Sequence, residues 1–261
     1  MFSERYFIAP SLSDFGLAEG STQYAGYSTY SHYNYLRPGI VSKIKRQRFE
    51  QALRLVADRF GKASVVDCGC SDGIFLPSLS KHFVHVTAFD LLPQDVETAG
   101  RVVKSLNLTN VDVFCNAGMS FTDLKARMGD RPHQVLFVLE TLEHVGDAQR
   151  MWQSRVEFVE QLFTLLSHDG VVVISVPKMV GIPFLVKYTV QSAMRMSHEH
   201  QSFGQLMKSS FLKNTDALEP HWDGRHNGFN HLKLERALAE RFRIVGRKNL
   251  FATAMYVVAR R

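Results

Sequence analysis

The stretch VVDCGCSDGIFL, residues 65–76, decides how the rest of this 261-residue chain is read. It opens on β-branched residues, closes on an apolar run suited to a helix, and sets Gly69 and Gly73 in the turn between them. Glycine has no Cβ, so a strand-to-helix turn of this kind lets a ligand approach the backbone closely. The spacing is not that of a dinucleotide fingerprint, which needs a third, central glycine. A second signal lies 23 residues after Asp67, where Asp90 ends the β-rich run HVTAFD (85–90). A carboxylate there can accept hydrogen bonds from both hydroxyls of a ribose, so an adenosine-type ligand is expected.

Working outward, short β-rich runs alternate with helical patterns: SVVD (64–67), HVTAFD (85–90), VDVFC (111–115), QVLFV (134–138) and VVVISV (171–176). Parallel strands joined by helical crossovers are the economical solution for that rhythm. Before the first strand, Val41, Ile44, Phe49, Leu53, Val56 and Phe60 recur at helical spacing between Pro38 and Gly61. Between the last two parallel runs, Trp152, Val156, Val159, Phe163 and Leu166 form an apolar stripe, opened by Asp147 as a cap and closed near Gly170. FRIVGRK and LFATAMYVVAR, near the end, predict an antiparallel hairpin.

Two segments stand outside the alternation. Residues 24–36 carry Tyr24, Tyr27, Tyr30, Tyr33 and Tyr35, a row that packs an amphipathic helix onto the core or covers a ligand. Residues 179–220 begin with MVGIPFLVKYTVQSAMRM and continue into a polar stretch with His198 and His200; this insert is a substrate cap, a membrane-surface helix or additional core. The expected organisation is an N-terminal tyrosine-rich segment, a candidate lid, over 1–37, and one catalytic domain over 38–261 that includes the insert.

Composition narrows the class. With 45% hydrophobic residues the chain can bury a full core. The formal charge of +6 favours an anionic partner, but KIKRQR (43–48) is the only dense basic run and reads as the wet face of a helix. Cys68, Cys70 and Cys115 are an odd number with no zinc-type spacing, which suits a reducing, cytoplasmic location, with the first two as small packing residues. No apolar run reaches membrane-spanning length, which leaves peripheral membrane contact open.

DCGCSDG, the FD of HVTAFD, CNAG after the third strand and QVLFVLETLEHV after the fourth resemble, in order and spacing, the class I S-adenosylmethionine-dependent methyltransferases over about residues 60–178. The resemblance implies a Rossmann-like α/β fold: a seven-stranded, mostly parallel sheet with helices on both faces and an antiparallel C-terminal hairpin. It implies that Asp67, Gly69, Ser71 and Gly73 cradle the methionine end of the cofactor. Asp90 with Leu91 would hold the ribose, Asn116 and Ala117 would lie against the adenine, and Leu139 and Glu140 beside the sulfonium. Three positions depart from the family pattern: Ser71 where many members have glycine, Asn116 where many have aspartate, and Gln134 where aspartate is usual. Asn116 still offers a carbonyl to an amine edge.

LETLEHV (139–145) then faces the ligand, because open parallel sheets bind ligands beyond the carboxyl ends of their strands. A helical turn would put Glu140, Glu143 and His144 on one side and Leu142 and Val145 toward the core. His144 is the candidate base, with Glu143 orienting it. Two carboxylates and an imidazole also make a donor set for magnesium or manganese. The run resembles the metal-binding arrangement of ubiquinone-biosynthesis O-methyltransferases and of the methyltransferases that modify the terminal ribose of small RNAs. The latter branch implies a distal histidine, for which HWDGRHNGFN offers His221 and, preferred, His226. The leading expectation is O-methylation of a small-molecule or lipid- or sugar-linked acceptor. RNA ribose methylation with a metal, and a non-catalytic cofactor-binding protein, are the alternatives.

Overall fold

The computed structural model describes residues 4–16, 29–193, 201–224 and 226–261. Tyr24, Tyr27, His198 and His200 lie outside the described residues. In chain order the elements are α1 (Ile40–Arg54), β1 (Ser64–Cys68), α2 (Leu76–His82), β2 (His85–Asp90), α3 (Pro93–Ser105), β3 (Val111–Cys115), α4 (Phe121–Met128), β4 (Val135–Leu139), α5 (Met151–Phe163), β5 (Val171–Pro177), α6 (Ile182–Ala193), α7 (Phe203–Met207), α8 (His231–Arg241), β6 (Arg243–Asn249) and β7 (Thr253–Ala259). The strands form one seven-stranded sheet in the order β3-β2-β1-β4-β5-β7-β6. β1 pairs in parallel with β2 and with β4, and β2 with β3, while β6 and β7 run antiparallel. Winding therefore reverses between β1 and β4, the place where an open α/β sheet opens a crevice for a ligand. The expected fold class is the one observed.

The chain divides into two compact units, Met1–Val138 with Phe163–Val173, and Leu139–Leu162 with Ile174–Arg261. In the first, β1 and β2 are almost wholly buried, as strands covered by helices on both sides must be. Gln134, the departure from the family pattern, registers β1 against β4: its amide oxygen accepts from Ser64 N at 2.8 Å and its own N–H donates to Ser64 O at 2.9 Å. It sits at the amino-terminal end of its strand, away from the carboxyl ends where a ligand would sit.

Helix α1 carries an unexpected buried acid. Glu50 Oε2 accepts the backbone N–H groups of Arg5, Tyr6 and Phe7 at 2.8–3.0 Å, and Oε1 accepts from Arg54 at 2.7 Å. Burial pushes this carboxyl up, but the amides of Tyr6 and Phe7 and the Arg54 guanidinium outweigh it and hold it below the usual range. Phe7 stacks on Phe49 at 5.1 Å, so the first residues are stitched to the helix by both charge and rings. Of the tyrosine row, Tyr35 is buried edge-on against Phe49, whereas Tyr30 stays 38% exposed.

In the second unit, β6 is an edge strand with a bulge between Ile244 and Gly246 and with Arg243, Arg247 and Lys248 along it, features that discourage edge-to-edge pairing. Asp147 does not cap α5 as expected: it accepts from Gln149 N and Arg150 N at 2.9 and 2.8 Å, in a turn that precedes the helix. Asn230 caps α8 by accepting from Leu232 N at 3.0 Å.

Candidate active site

The first unit gathers the residues expected to hold the methionine end, the ribose and the adenine of a cofactor, while Leu139 and Glu140 belong to the second. Asp67 lies near the carboxyl end of β1, Asp90 ends β2, and Asn116 follows β3. Backbone hydrogen bonds lock the three ends together: Gly69 N and Cys70 N donate to Phe89 O, Ser71 N donates to Asp90 Oδ2 at 2.8 Å, and Asn116 N donates to Asp90 O at 3.0 Å. The need for glycine at Gly73 comes from the chain's own packing, a reason the sequence reading did not give. At Gly73, with φ +88°, a Cβ would come within 2.9 Å of the Ala99 backbone. Ser71 occupies the left-handed region at φ +48°, a conformation that favours glycine. Leu91 and Ala117 are exposed beside these ends.

Two polar atoms in this loop cluster are buried without a hydrogen-bond partner, Asp67 Oδ2 and Asn116 Oδ1. Leaving such atoms unsatisfied costs about 1–3 kcal/mol each, so a polar ligand that reaches both has a ready gain. Burial pushes the Asp67 carboxyl up to about 7, and the Asp90 carboxylate adds to the rise. Asp72, also buried, is pushed up to about 6 by burial, against the lowering effect of its bonds from Ser31 N and Ser31 Oγ. That pairing fastens the segment after Thr29 directly to the loop. An acid whose folded pKa exceeds its unfolded value of about 4 destabilises the fold as it ionises. The unfolding midpoint of the ligand-free protein is therefore expected to fall as pH rises from about 4 to about 7, through Asp67 and Asp72 together. Asp67→Asn should flatten that slope in calorimetry; an unaltered slope would count against a protonated Asp67.

The second unit holds the residues expected to do chemistry, in a geometry the helical reading of LETLEHV did not anticipate. Glu140 adopts φ +55°, which breaks the backbone out of β4, and only Leu142–His144 form a single 3-10 turn. Glu140 N donates to Ser175 O at 2.9 Å, and Ser175 Oγ donates to Glu140 Oε1 at 3.2 Å. Glu143 is fully buried, whereas His144 is half-exposed. From the distal loop His226, and not His221, arrives beside them: Glu143 Oε1 lies 3.8 Å from His226 Nε2 and 4.0 Å from His144 Nε2. One ligating atom from each of Glu143, His144 and His226 falls within 4.8 Å of the others; Glu140 is outside that group.

The tautomer of His144 follows from its partner. Nδ1 lies 2.6 Å from Gly224 O, and a carbonyl only accepts, so Nδ1 carries the proton. In the neutral ring the Nε2 lone pair is then free to take a proton or bind a cation.

A residue that sequence reasoning passed over organises this turn. Arg155, fully buried, donates from Nε to Leu142 O at 3.0 Å, from Nη2 to Glu143 O at 2.6 Å and from Nη1 to Met151 O at 2.7 Å. Its guanidinium lies among the rings of Trp222, Trp152 and Phe229 at 4.8–5.3 Å. Burial lowers its pKa to about 10, with the carboxylates of Glu143 and Glu219 opposing the fall. The available signal was a lone cation inside the apolar stripe of α5.

Comparison with known proteins gives the family and the fold. Residues 42–246 match the methyltransferase domain family. Ubiquinone biosynthesis O-methyltransferases of Rickettsia akari and Rickettsia felis are each 23% identical, over 52% and 63% of this chain and 51% and 65% of their own. The chain thus spans about half to two thirds of the length of these curated relatives. A magnesium protoporphyrin IX methyltransferase from Synechocystis PCC 6803, solved with bound S-adenosylhomocysteine, superposes with a TM-score of 0.53 at 14% identity, covering 86% of this chain and 89% of that one. With residues 42–246 matched by the family and a seven-stranded, mostly parallel sheet, the chain belongs to the methyltransferase domain family and has the class I, Rossmann-like fold.

Proposed function

We propose that this chain catalyses S-adenosylmethionine-dependent methylation of an oxygen on a small-molecule or lipid- or sugar-linked acceptor. The observation that carries the reading is the meeting of Glu143, His144 and His226, with an Nε2 lone pair on His144. Family membership supports the methyl donor, and the Rickettsia relatives, named as O-methyltransferases, support oxygen as the acceptor atom.

S-adenosylmethionine supplies a methyl group on a positively charged sulfur, already activated for in-line displacement. The chain's own residues have to bind, align and deprotonate. Asp90 would accept from the ribose hydroxyls, its two oxygens being held in place by Ser71 N and Leu92 N. Asp67 with the Gly69–Gly73 loop would take the methionine end, and Asn116 Oδ1 with Ala117 the adenine edge. Leu139 and Glu140 would lie beside the sulfonium, with Glu140 steadied by Ser175. His144 would take the acceptor proton at Nε2, and the buried charge of Glu143 would stabilise the resulting imidazolium.

A second reading is favoured by the same cluster. One carboxylate and two imidazoles form a mixed oxygen and nitrogen donor set that suits a divalent cation such as magnesium or manganese, with the bond from His144 Nδ1 to Gly224 O as the orienting outer contact. Such an ion would lower the pKa of an acceptor hydroxyl.

Titration calorimetry tests the cofactor half. S-adenosylhomocysteine is expected to bind the native chain, and Asp90→Asn to weaken it about 10-fold or more, a carboxylate's two charge-assisted bonds being worth at least 1.5 kcal/mol together. No heat with the native chain would remove the basis of the proposal.

A further inference from the structure

We propose that Glu219 is a positioning residue: it holds the distal loop, and with it the carbonyl of Gly224 and the ring of His226, against the turn that carries Glu143 and His144. The inference rests on the reading of that cluster as the methylation site. Among the described residues of 215–230, the 3-10 turn Glu219–His221 is the only regular element. The backbone bonds there are local, from Glu219 N to Thr215 O, His221 N to Leu218 O, Trp222 N to Glu219 O and Phe229 N to His226 O. Bonds of this kind shape a loop without fixing it to its neighbours, and such segments open at little cost. Yet the cluster depends on where this loop sits: Gly224 O sets the tautomer of His144 from 2.6 Å, and His226 Nε2 lies 3.8 Å from Glu143 Oε1.

The Glu219 side chain, 17% exposed, reaches out of the loop in two directions. Oε2 accepts from Trp152 Nε1 on α5 at 3.2 Å, and Oε1 accepts from Lys233 Nζ on α8 at 2.6 Å and from Thr215 Oγ1 at 2.7 Å. Helix α5 is also where Arg155 reaches back to the carbonyls of Leu142 and Glu143. One helix therefore fixes both halves of the cluster, the near turn through Arg155 and the distal loop through Glu219. Further along the loop, Gly228 at φ +82° passes so close to Leu218 and Glu219 that a Cβ would lie 3.1–3.2 Å from their backbone, so a shift at Glu219 is transmitted to the segment beside His226. The donor count demands a carboxylate. Its two oxygens meet an indole N–H, an ammonium and a hydroxyl, whereas an amide has a single acceptor oxygen and must turn its own N–H2 toward one of these donors.

The test reads the His144 tautomer itself and needs no acceptor. Proton–nitrogen NMR spectra of the isotope-labelled full chain are recorded in chelator at about pH 9, where histidines are neutral, with the His144 signals identified by their loss in His144→Gln. The native chain is expected in the Nδ1–H form, and Glu219→Gln is expected to shift toward Nε2–H. In the same variant kcat should fall about 10-fold while S-adenosylhomocysteine affinity stays within about twofold of native. Trp152→Phe keeps the ring and removes the N–H, so it should move the tautomer the same way by a smaller amount. Asp216→Asn, which removes the other carboxylate on Lys233, should leave the tautomer native. A native tautomer in folded Glu219→Gln, or in Trp152→Phe should the first variant fail to fold, would overturn the proposal, as would a native chain in the Nε2–H form. A shifted tautomer in Glu219→Gln, with no methyl transfer even by the native chain, would uphold the clamp and count instead against the chemistry proposed for the site.

Discussion

His144→Gln is expected to lower kcat at least about 100-fold while leaving S-adenosylhomocysteine affinity within about twofold of native. Glutamine can keep a hydrogen bond to Gly224 O but has no basic nitrogen to replace Nε2. The measurement is transfer of labelled methyl to a panel of phenols, 1,2-dihydroxybenzenes included, with and without chelator. If His144 acts as a simple base, the native enzyme ignores chelator. If the cluster holds a cation, native activity disappears in chelator and returns with magnesium or manganese, and Glu143→Gln is inactive under both conditions. A His144→Gln enzyme as fast as the native one would remove the residue from the chemistry altogether.

The largest effect on stability is expected from Arg155→Met, at about 3–5 kcal/mol. Methionine fills much of the same volume, so packing against Trp222, Trp152 and Phe229 is partly kept. What is lost is the fork that satisfies the carbonyls of Leu142, Glu143 and Met151, and the positive charge near fully buried Glu143. Arg155→Lys restores a charge but not the planar fork, and should recover only part of the loss. Denaturant unfolding of the three proteins decides the matter: an Arg155→Met midpoint close to native would mean that water or local rearrangement replaces the guanidinium without cost.

The parts of the molecule legible in its sequence are those governed by local pattern. Runs such as HVTAFD and VDVFC coincide with β2 and β3 because β-branched, apolar segments bounded by turn residues have few other stable forms. The final hairpin is legible for the same reason. The turn after β4 is different. Its residue types announce chemistry, but its shape depends on a non-glycine residue, Glu140, held in the left-handed region, and on Arg155 reaching back from α5. Both depend on contacts that no helical periodicity encodes. The Glu50 clasp on Arg5, Tyr6 and Phe7 was invisible likewise, since it joins residues more than 40 positions apart.

The two thiols of the glycine loop bear on the safety of the proposed reaction. An alkylating donor held close to ionised sulfur would be drained into the protein, which would end as a methylated, dead enzyme. Cys68 and Cys70 are buried, and burial together with the carboxylates of Asp67 and Asp90 raises both thiols well above their ordinary range. Kept as S–H, they are poor nucleophiles. The acids that would grip the donor thus also guard the enzyme against its own reagent.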